Sequence, residues 1–299
     1  MILPHRVLCC RLSPASICSN FSRTMATSSS RTLRIGSFTV PLTVKENSGI
    51  DLDEVEQFPA FKDWVAAFGK EMKESPVASR VAVEKVVITD IDYFKSGKVG
   101  FVKFRTDVKW SDAGDGRIPG IVFSRGGAVA ILVIIKASNP RTADDEEERV
   151  VLTVQPRIPI ASLAFSEIPA GMLDGERKFA GAAARELEEE CGIQIREDEL
   201  TDLTDLTFGM GTDLRNVGVY PSPGGSDEFI KLLLCRKQLP IEDIRRLEGR
   251  KGGLREEGER IDVKLVKLKD LWRSTRDMKA LSALTLYDRC LTAGLISKI

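Results

Sequence analysis

An α/β/α sandwich preceded by a small β-rich domain is the fold this sequence predicts, and three observations predict it. Residues 127–135 are almost wholly apolar, as a strand covered on both faces requires. Short β-rich runs at 149–155, 229–234 and 261–268 bracket an acidic helical segment, and a helical pattern at 280–295 closes the chain. A mixed sheet packed between helices accommodates that order. Ahead of it, residues 32–44, 81–91 and 99–110 alternate apolar with polar side chains, the period of half-buried strands. With 299 residues, 42% of them hydrophobic, the chain buries a substantial core in one or two domains.

Taken in order, residues 1–34 read as a leader. They hold Arg6, Arg11, Arg23, Arg31 and Arg34 among many serines, and no acidic residue occurs before Glu46. That is the composition of an organellar transit peptide, so a mitochondrial or other organellar destination is expected. A chain started at Met25 would instead be cytoplasmic. Residues 35–115 form the expected β-rich domain. Between its first two alternating runs, Phe58, Phe61, Trp64, Val65 and Phe68 recur at helical spacing until Ser75-Pro76 breaks the pattern. Those rings belong to a core or to a dimer surface. Residues 111–119, rich in Gly and Asp, mark the domain boundary. The second domain, 118–299, adds an acidic loop at 143–148, a strand across 203–217 and a short helix or loop at 241–247.

Charge and cysteine usage exclude several functions. A net charge of zero argues against a nucleic-acid partner held through many phosphate contacts. No apolar run reaches membrane-spanning length. Cys9, Cys10, Cys18, Cys191, Cys235 and Cys290 show no metal-ligand spacing, which suits a reducing compartment. The one histidine, His5, lies in the leader, and this favours carboxylate-and-metal chemistry by elimination.

The most informative segment runs from Gly171 to Ile193. Residues three and four apart meet on one side of a helix, so Glu186, Glu189 and Glu190 project within roughly a third of its circumference. Three carboxylates there repel unless a hard cation neutralises them, and oxygen-only ligation suits Mg²⁺ or Mn²⁺ bridging a diphosphate. Gly192 follows as the expected C-cap, where a left-handed conformation carries little steric penalty. Glu188 points elsewhere.

Gly171, Arg185, Glu186, Leu187, Glu189, Glu190, Gly192 and Ile193 stand in the register of the Nudix motif, which the segment resembles. One position departs: Arg177 occupies the place of the first motif Glu, with Glu176 one residue earlier. The resemblance implies the Nudix α/β/α sandwich and metal-dependent hydrolysis of a diphosphate. It also implies metal ligation by Glu186, Glu190 and the Ala170 carbonyl, with Glu189 adding charge or a further ligand. Three segments resemble the ADP-ribose and ADP-sugar diphosphatases within that family. Gln155-Pro156-Arg157 places Arg157 where that subfamily meets the substrate phosphates, a task suited to a planar guanidinium fork. Residues 220–228 resemble its Ser-Pro-Gly-Gly segment. Residues 255–263 match the late loop that carries the general base or a further ligand, with Glu257 and Glu259 both candidates.

The expected reaction is therefore hydrolysis of ADP-ribose or ADP-glucose to AMP and a sugar phosphate. A homodimer formed through the N-terminal domain is implied by the same resemblance. Two alternatives stay open: another diphosphate substrate, such as a dinucleotide or coenzyme A, and a catalytically weak nucleotide sensor that keeps the fold.

Overall fold

The computed structural model describes residues 30–112, 114, 116–173, 179–209, 218–253 and 260–297. The alternating stretch at 32–44 is a hairpin of β1 (Ser30–Ile35) and β2 (Phe38–Val44). Next come α1 (Leu52–Gln57) and α2 (Pro59–Glu74). Asp51 caps α1 by accepting the Asp53 N–H at 2.8 Å. Pro59 opens α2, where its missing N–H costs nothing. This helical crossover lets β3 (Val81–Tyr93) lie parallel to β2, and β4 (Val99–Trp110) returns antiparallel to β3. The helix aromatics take the core: Phe61 is buried edge-on to Phe104 at 5.3 Å, and Trp64 meets the same ring at 4.7 Å.

The Gly/Asp-rich stretch at 111–119 does not end this sheet. β5 (Arg117–Ile118) and β6 (Ile121–Ser124) both fold back onto β4, so the six-stranded sheet continues to Ser124. The glycines serve a turn inside the sheet: Trp110 N–H donates to the Gly116 carbonyl at 2.9 Å and Thr106 N–H to that of Gly120 at 2.8 Å.

The second sheet is built on β7 (Ala128–Ala137), β8 (Arg149–Arg157), β9 (Ser162–Glu167), β10 (Ala170–Met172), β11 (Leu200–Asp202), β12 (Ile230–Leu239), β13 (Lys251–Gly252) and β14 (Ile261–Lys267). Its path is β11-β12-β7-β8-β14-β13, with β10 paired to β7 and β9 to β8. Only β7 and β12 run parallel, which makes it the mixed sheet expected. Alternate residues of β7 feed two cores. Val129, Ile131, Val133 and Ile135 pack against α3 (Phe179–Cys191) and α5 (Ile241–Leu247). Ala130, Leu132 and Ile134 pack against α7 (Met278–Thr292) through Ala280, Ala283 and Tyr287. Helices on both faces of a sheet are the predicted α/β/α sandwich.

One expected strand is a helix at its start. Residues 203–208 form α4 (Leu203–Phe208), while 210–217 lie outside the described residues. Asp202 decides it: its carboxylate accepts the Asp205 N–H at 2.9 Å, an N-cap that starts a helix where the apolar pattern alone suggests a strand. The turn is then held by Thr207, whose hydroxyl donates to the Leu203 carbonyl at 2.8 Å. A further short helix, α6 (Leu271–Ser274), leads into α7.

The segment at 220–228 joins the two sheets. Phe123 N–H donates to the Gly225 carbonyl at 2.8 Å. Asp227 accepts from the Ser124 hydroxyl at 2.6 Å and from the N–H groups of Arg125 and Gly126 at 2.8 and 3.2 Å. Asp227→Ala strips the acceptor from three partly buried donors at once. It is expected to lower unfolding free energy by about 1–3 kcal/mol in urea titration. A change below about 0.5 kcal/mol would show that water replaces the carboxylate there.

Candidate active site

Helix α3 and strand β10 face each other, and glycine is what brings them close. A Cβ built on Gly171 would overlap the Glu186 carboxyl group, so that side chain lies directly against the β10 backbone. One turn on, Glu190 is buried and accepts the Ala170 N–H at 3.3 Å. Leu187 and Cys191 point the other way, into the core, and fix the rotation of the helix. The helix ends at Gly192, with φ of 64° as its expected C-cap role requires. Gly192 N–H still reaches the Glu188 carbonyl at 2.8 Å, and Ile193 N–H turns back to that of Leu187 at 3.3 Å.

Arg157 ends β8 beside this pair. Its Nε–H donates to Glu167 Oε1 at 2.6 Å, and Glu167 Oε2 accepts from Lys279 Nζ at 2.8 Å. Lys279 also donates to Asp277 Oδ1 at 2.9 Å, while Asp277 Oδ2 accepts the Ile168 N–H at 3.1 Å. Burial opposes the charge on each ionised partner, and the partners outweigh it. Lys279 and Arg157 hold Glu167 below the usual carboxylate range despite desolvation. Desolvation is likewise overcome at Arg157, held above the usual range by Glu167 with smaller contributions from Glu190 and Asp277. Asp277 and Glu167 do the same for buried Lys279.

The structure thus gathers four of the sequence-predicted residues, Arg157, Ala170, Glu186 and Glu190. Glu189 is not gathered with them. It is exposed, and its contact with the fold is through its carbonyl, which accepts the Gly253 N–H at 3.0 Å. Glu257, Glu259 and the departing Arg177 with its neighbour Glu176 lie outside the described residues. Among the described residues no three His, Cys, Asp or Glu side chains converge as a metal-binding group. Two carboxylates and a backbone carbonyl, all oxygen donors, still fit part of the shell of a hard divalent cation.

Sequence reasoning missed Glu167, Asp277 and Lys279. A signal existed for the last two. Asp277 caps α7 by accepting the Lys279 N–H at 3.1 Å, and a lysine in the first turn of a helix opposes the macrodipole unless a carboxylate compensates it.

A cavity of about 460 Å³ opens next to β10, bounded by Phe58, Phe94, Arg125, Met172, Phe179 and Phe229. It is formed by both sheets' elements and is mostly apolar with a few charged groups, the usual makeup of a small-molecule site. A larger one, about 580 Å³, lies between the β1–β2 hairpin and α2 and touches none of the predicted site residues.

The NUDIX domain matches residues 138–287, half of the chain. The chain belongs to the NUDIX family. It is similar to Nudix hydrolase 14, chloroplastic, of Arabidopsis thaliana, at 37% identity over 86% of this chain and 80% of that protein. It is also similar to the ADP-ribose pyrophosphatase of Bacillus subtilis (strain 168), at 28% identity over 54% of this chain and 69% of that one. A crystal structure of an ADP compounds hydrolase aligns with a TM-score of 0.44 at 17% identity, covering 71% of this chain and 97% of that one. Like its NUDIX relatives the chain is a hydrolase. Among the described residues no helix is long and apolar enough to cross a membrane.

Proposed function

We propose that this NUDIX hydrolase cleaves the diphosphate bond of an ADP-sugar, ADP-ribose or ADP-glucose, to AMP and a sugar phosphate. The observation that carries the reading is the seating of Glu186 and Glu190 on the Gly171 and Ala170 backbone with Arg157 alongside. The relative named for ADP-ribose supports the choice of substrate. A divalent cation, Mg²⁺ or Mn²⁺, would be held by Glu186, Glu190 and the Ala170 carbonyl, and when bound supplies positive charge to the phosphoryl oxygens. Glu189 adds negative charge from the solvent side.

The chain's own groups then do the following. Arg157 spends its Nε–H on Glu167, which leaves its two Nη groups to the diphosphate oxygens. Glu257 or Glu259 takes a proton from the attacking water as its oxygen bonds to phosphorus. The bond from that phosphorus to the bridging oxygen breaks, and the two phosphates separate. The cavity beside Met172 offers Phe94 and Phe229 as faces for the adenine ring.

The chain then divides into a leader that stops short of β1 at Ser30, rather than running to Arg34, an N-terminal β-rich unit and the hydrolase unit, joined at 125–127. The leader addresses an organelle, which the Arabidopsis relative's chloroplastic designation supports. The N-terminal unit pairs two copies into a homodimer; exposed Ile121 and Tyr93 on it support a covered surface.

AMP release tests the function with Mg²⁺ and with Mn²⁺ on ADP-ribose, ADP-glucose, a dinucleoside diphosphate and coenzyme A. The expected result is a kcat/KM for one of the ADP-sugars at least about tenfold above the other two. Preference for the dinucleotide or coenzyme A would overturn the substrate assignment, and binding without turnover of any of the four would overturn the reaction.

A further inference from the structure

The four charged groups behind the site alternate in sign, Arg157, Glu167, Lys279 and Asp277, and each carboxylate is divided between two residues. Glu167 is 2% exposed and has one oxygen on Arg157 and the other on Lys279. With both oxygens committed, the carboxyl plane cannot rotate, and the guanidinium it holds is fixed in direction. Lys279 has a second effect. A carboxylate paired with Arg157 alone would cancel its charge, and sharing that carboxylate with an ammonium leaves Arg157 more of its positive field. Asp277 anchors the lysine and is itself tied to the start of α7 and to Ile168, two residues before Ala170.

Stability alone does not account for such a cluster. A buried ion network is seldom more stable than apolar side chains of the same volume, because desolvation offsets the attraction between the charges. Here the network spans β8, β9 and α7, and the more exposed of its two cations, Arg157, is the member beside Glu190.

We propose that Glu167, Lys279 and Asp277 are positioning residues that set the direction and effective charge of Arg157, so that the start of α7 governs affinity for the substrate diphosphate. This rests on the reading of Arg157 as the phosphate-binding group. Lys279→Met keeps the stem and removes the charge. It is expected to raise KM for ADP-ribose about tenfold while kcat changes less than about threefold, with Lys279→Arg restoring most of the loss. In an Arg157→Ala background the same change is expected to add less than about twofold, since its route to the substrate is gone.

A second readout needs no turnover. The Arg157 Nε–H resonance, identified by its loss in Arg157→Lys, is expected to shift in both Lys279→Met and Glu167→Gln. If Lys279→Met fails to fold, Glu167→Gln carries both measurements. An unchanged resonance in the charge-removing variant, or an undiminished kinetic loss without Arg157, would overturn the proposal. Absence of ADP-ribose hydrolysis by the unmodified chain would count against the functional reading, and the resonance would still decide the network.

Discussion

Glu190→Gln is expected to slow AMP release from ADP-ribose by about two orders of magnitude or more, with little change in stability. Glu190 is 5% exposed and sits on the Ala170 N–H, so the substitution tests charge with shape nearly constant. A glutamine keeps an oxygen that can accept from Ala170 and loses the negative charge that would hold a cation against the diphosphate. The fold has a small reason to welcome the change. Glu186 and Glu190 are four apart on one helix, and like charges at that spacing destabilise by roughly 0.2–0.5 kcal/mol when no cation intervenes. Arg157 attracts the same carboxylate, so the two effects oppose, and without divalent metal the variant should melt close to the original temperature. Exposed Glu189 provides the comparison, with Glu189→Gln expected to cost at most about tenfold. Steady-state rates across Mg²⁺ concentration, alongside thermal melts, check both. A Glu190→Gln enzyme within about fivefold of the original would remove that carboxylate from the reaction.

The contrast between Glu189 and Glu190 shows how far helical spacing carries. Spacing puts Glu186, Glu189 and Glu190 on one side, and so it does, within the width of that side. It does not say where a neighbouring strand will lie. Strand β10 covers the seam between Glu186 and Glu190, and Glu189, about 60° round the other way, falls in solvent. A helical wheel holds no information about β10. The place of Arg157 can be counted back from the motif at a fixed distance, whereas its anchors lie elsewhere: Glu167 is ten residues on and Lys279 another 112. Tertiary packing alone joins them.

The fold was legible where two signals agreed. β4 runs from Val99 to Trp110, as alternation with β-branched and aromatic residues implies. Helix α2 ends before Ser75-Pro76, where its aromatic period stops. At 203–208 the signals disagreed, and the Asp202 cap prevailed over apolar pattern. At 111–119 the Gly/Asp composition was read correctly as turn and wrongly as the end of a sheet. Composition locates a reversal of the chain, and only pairing shows whether the next strand returns to the same neighbour.

Two glycine-to-alanine changes should separate the fold from the chemistry. At Gly171 the added methyl meets the end of the Glu186 side chain, which can rotate away. Gly171→Ala is thus expected to leave stability within about 1 kcal/mol while activity falls at least tenfold, because the carboxyl group is pushed off β10. At Gly252 the methyl meets backbone, overlapping the Glu190 carbonyl oxygen and lying 2.7 Å from its carbon. No side-chain rotation relieves that. Strand β13 must lift from the end of α3, and the Gly253 N–H must leave the Glu189 carbonyl it now reaches at 3.0 Å. Gly252→Ala is expected to cost about 1–3 kcal/mol in urea unfolding. Activity should fall with it by a factor of ten or more, because the β13 contact with α3 is a tether on the chain a few residues ahead of Glu257 and Glu259 in the sequence. Restoring the fold with a stabilising osmolyte should not restore the rate. If it does, the tether serves stability alone, and neither Glu257 nor Glu259 depends on the strand for its place in the reaction.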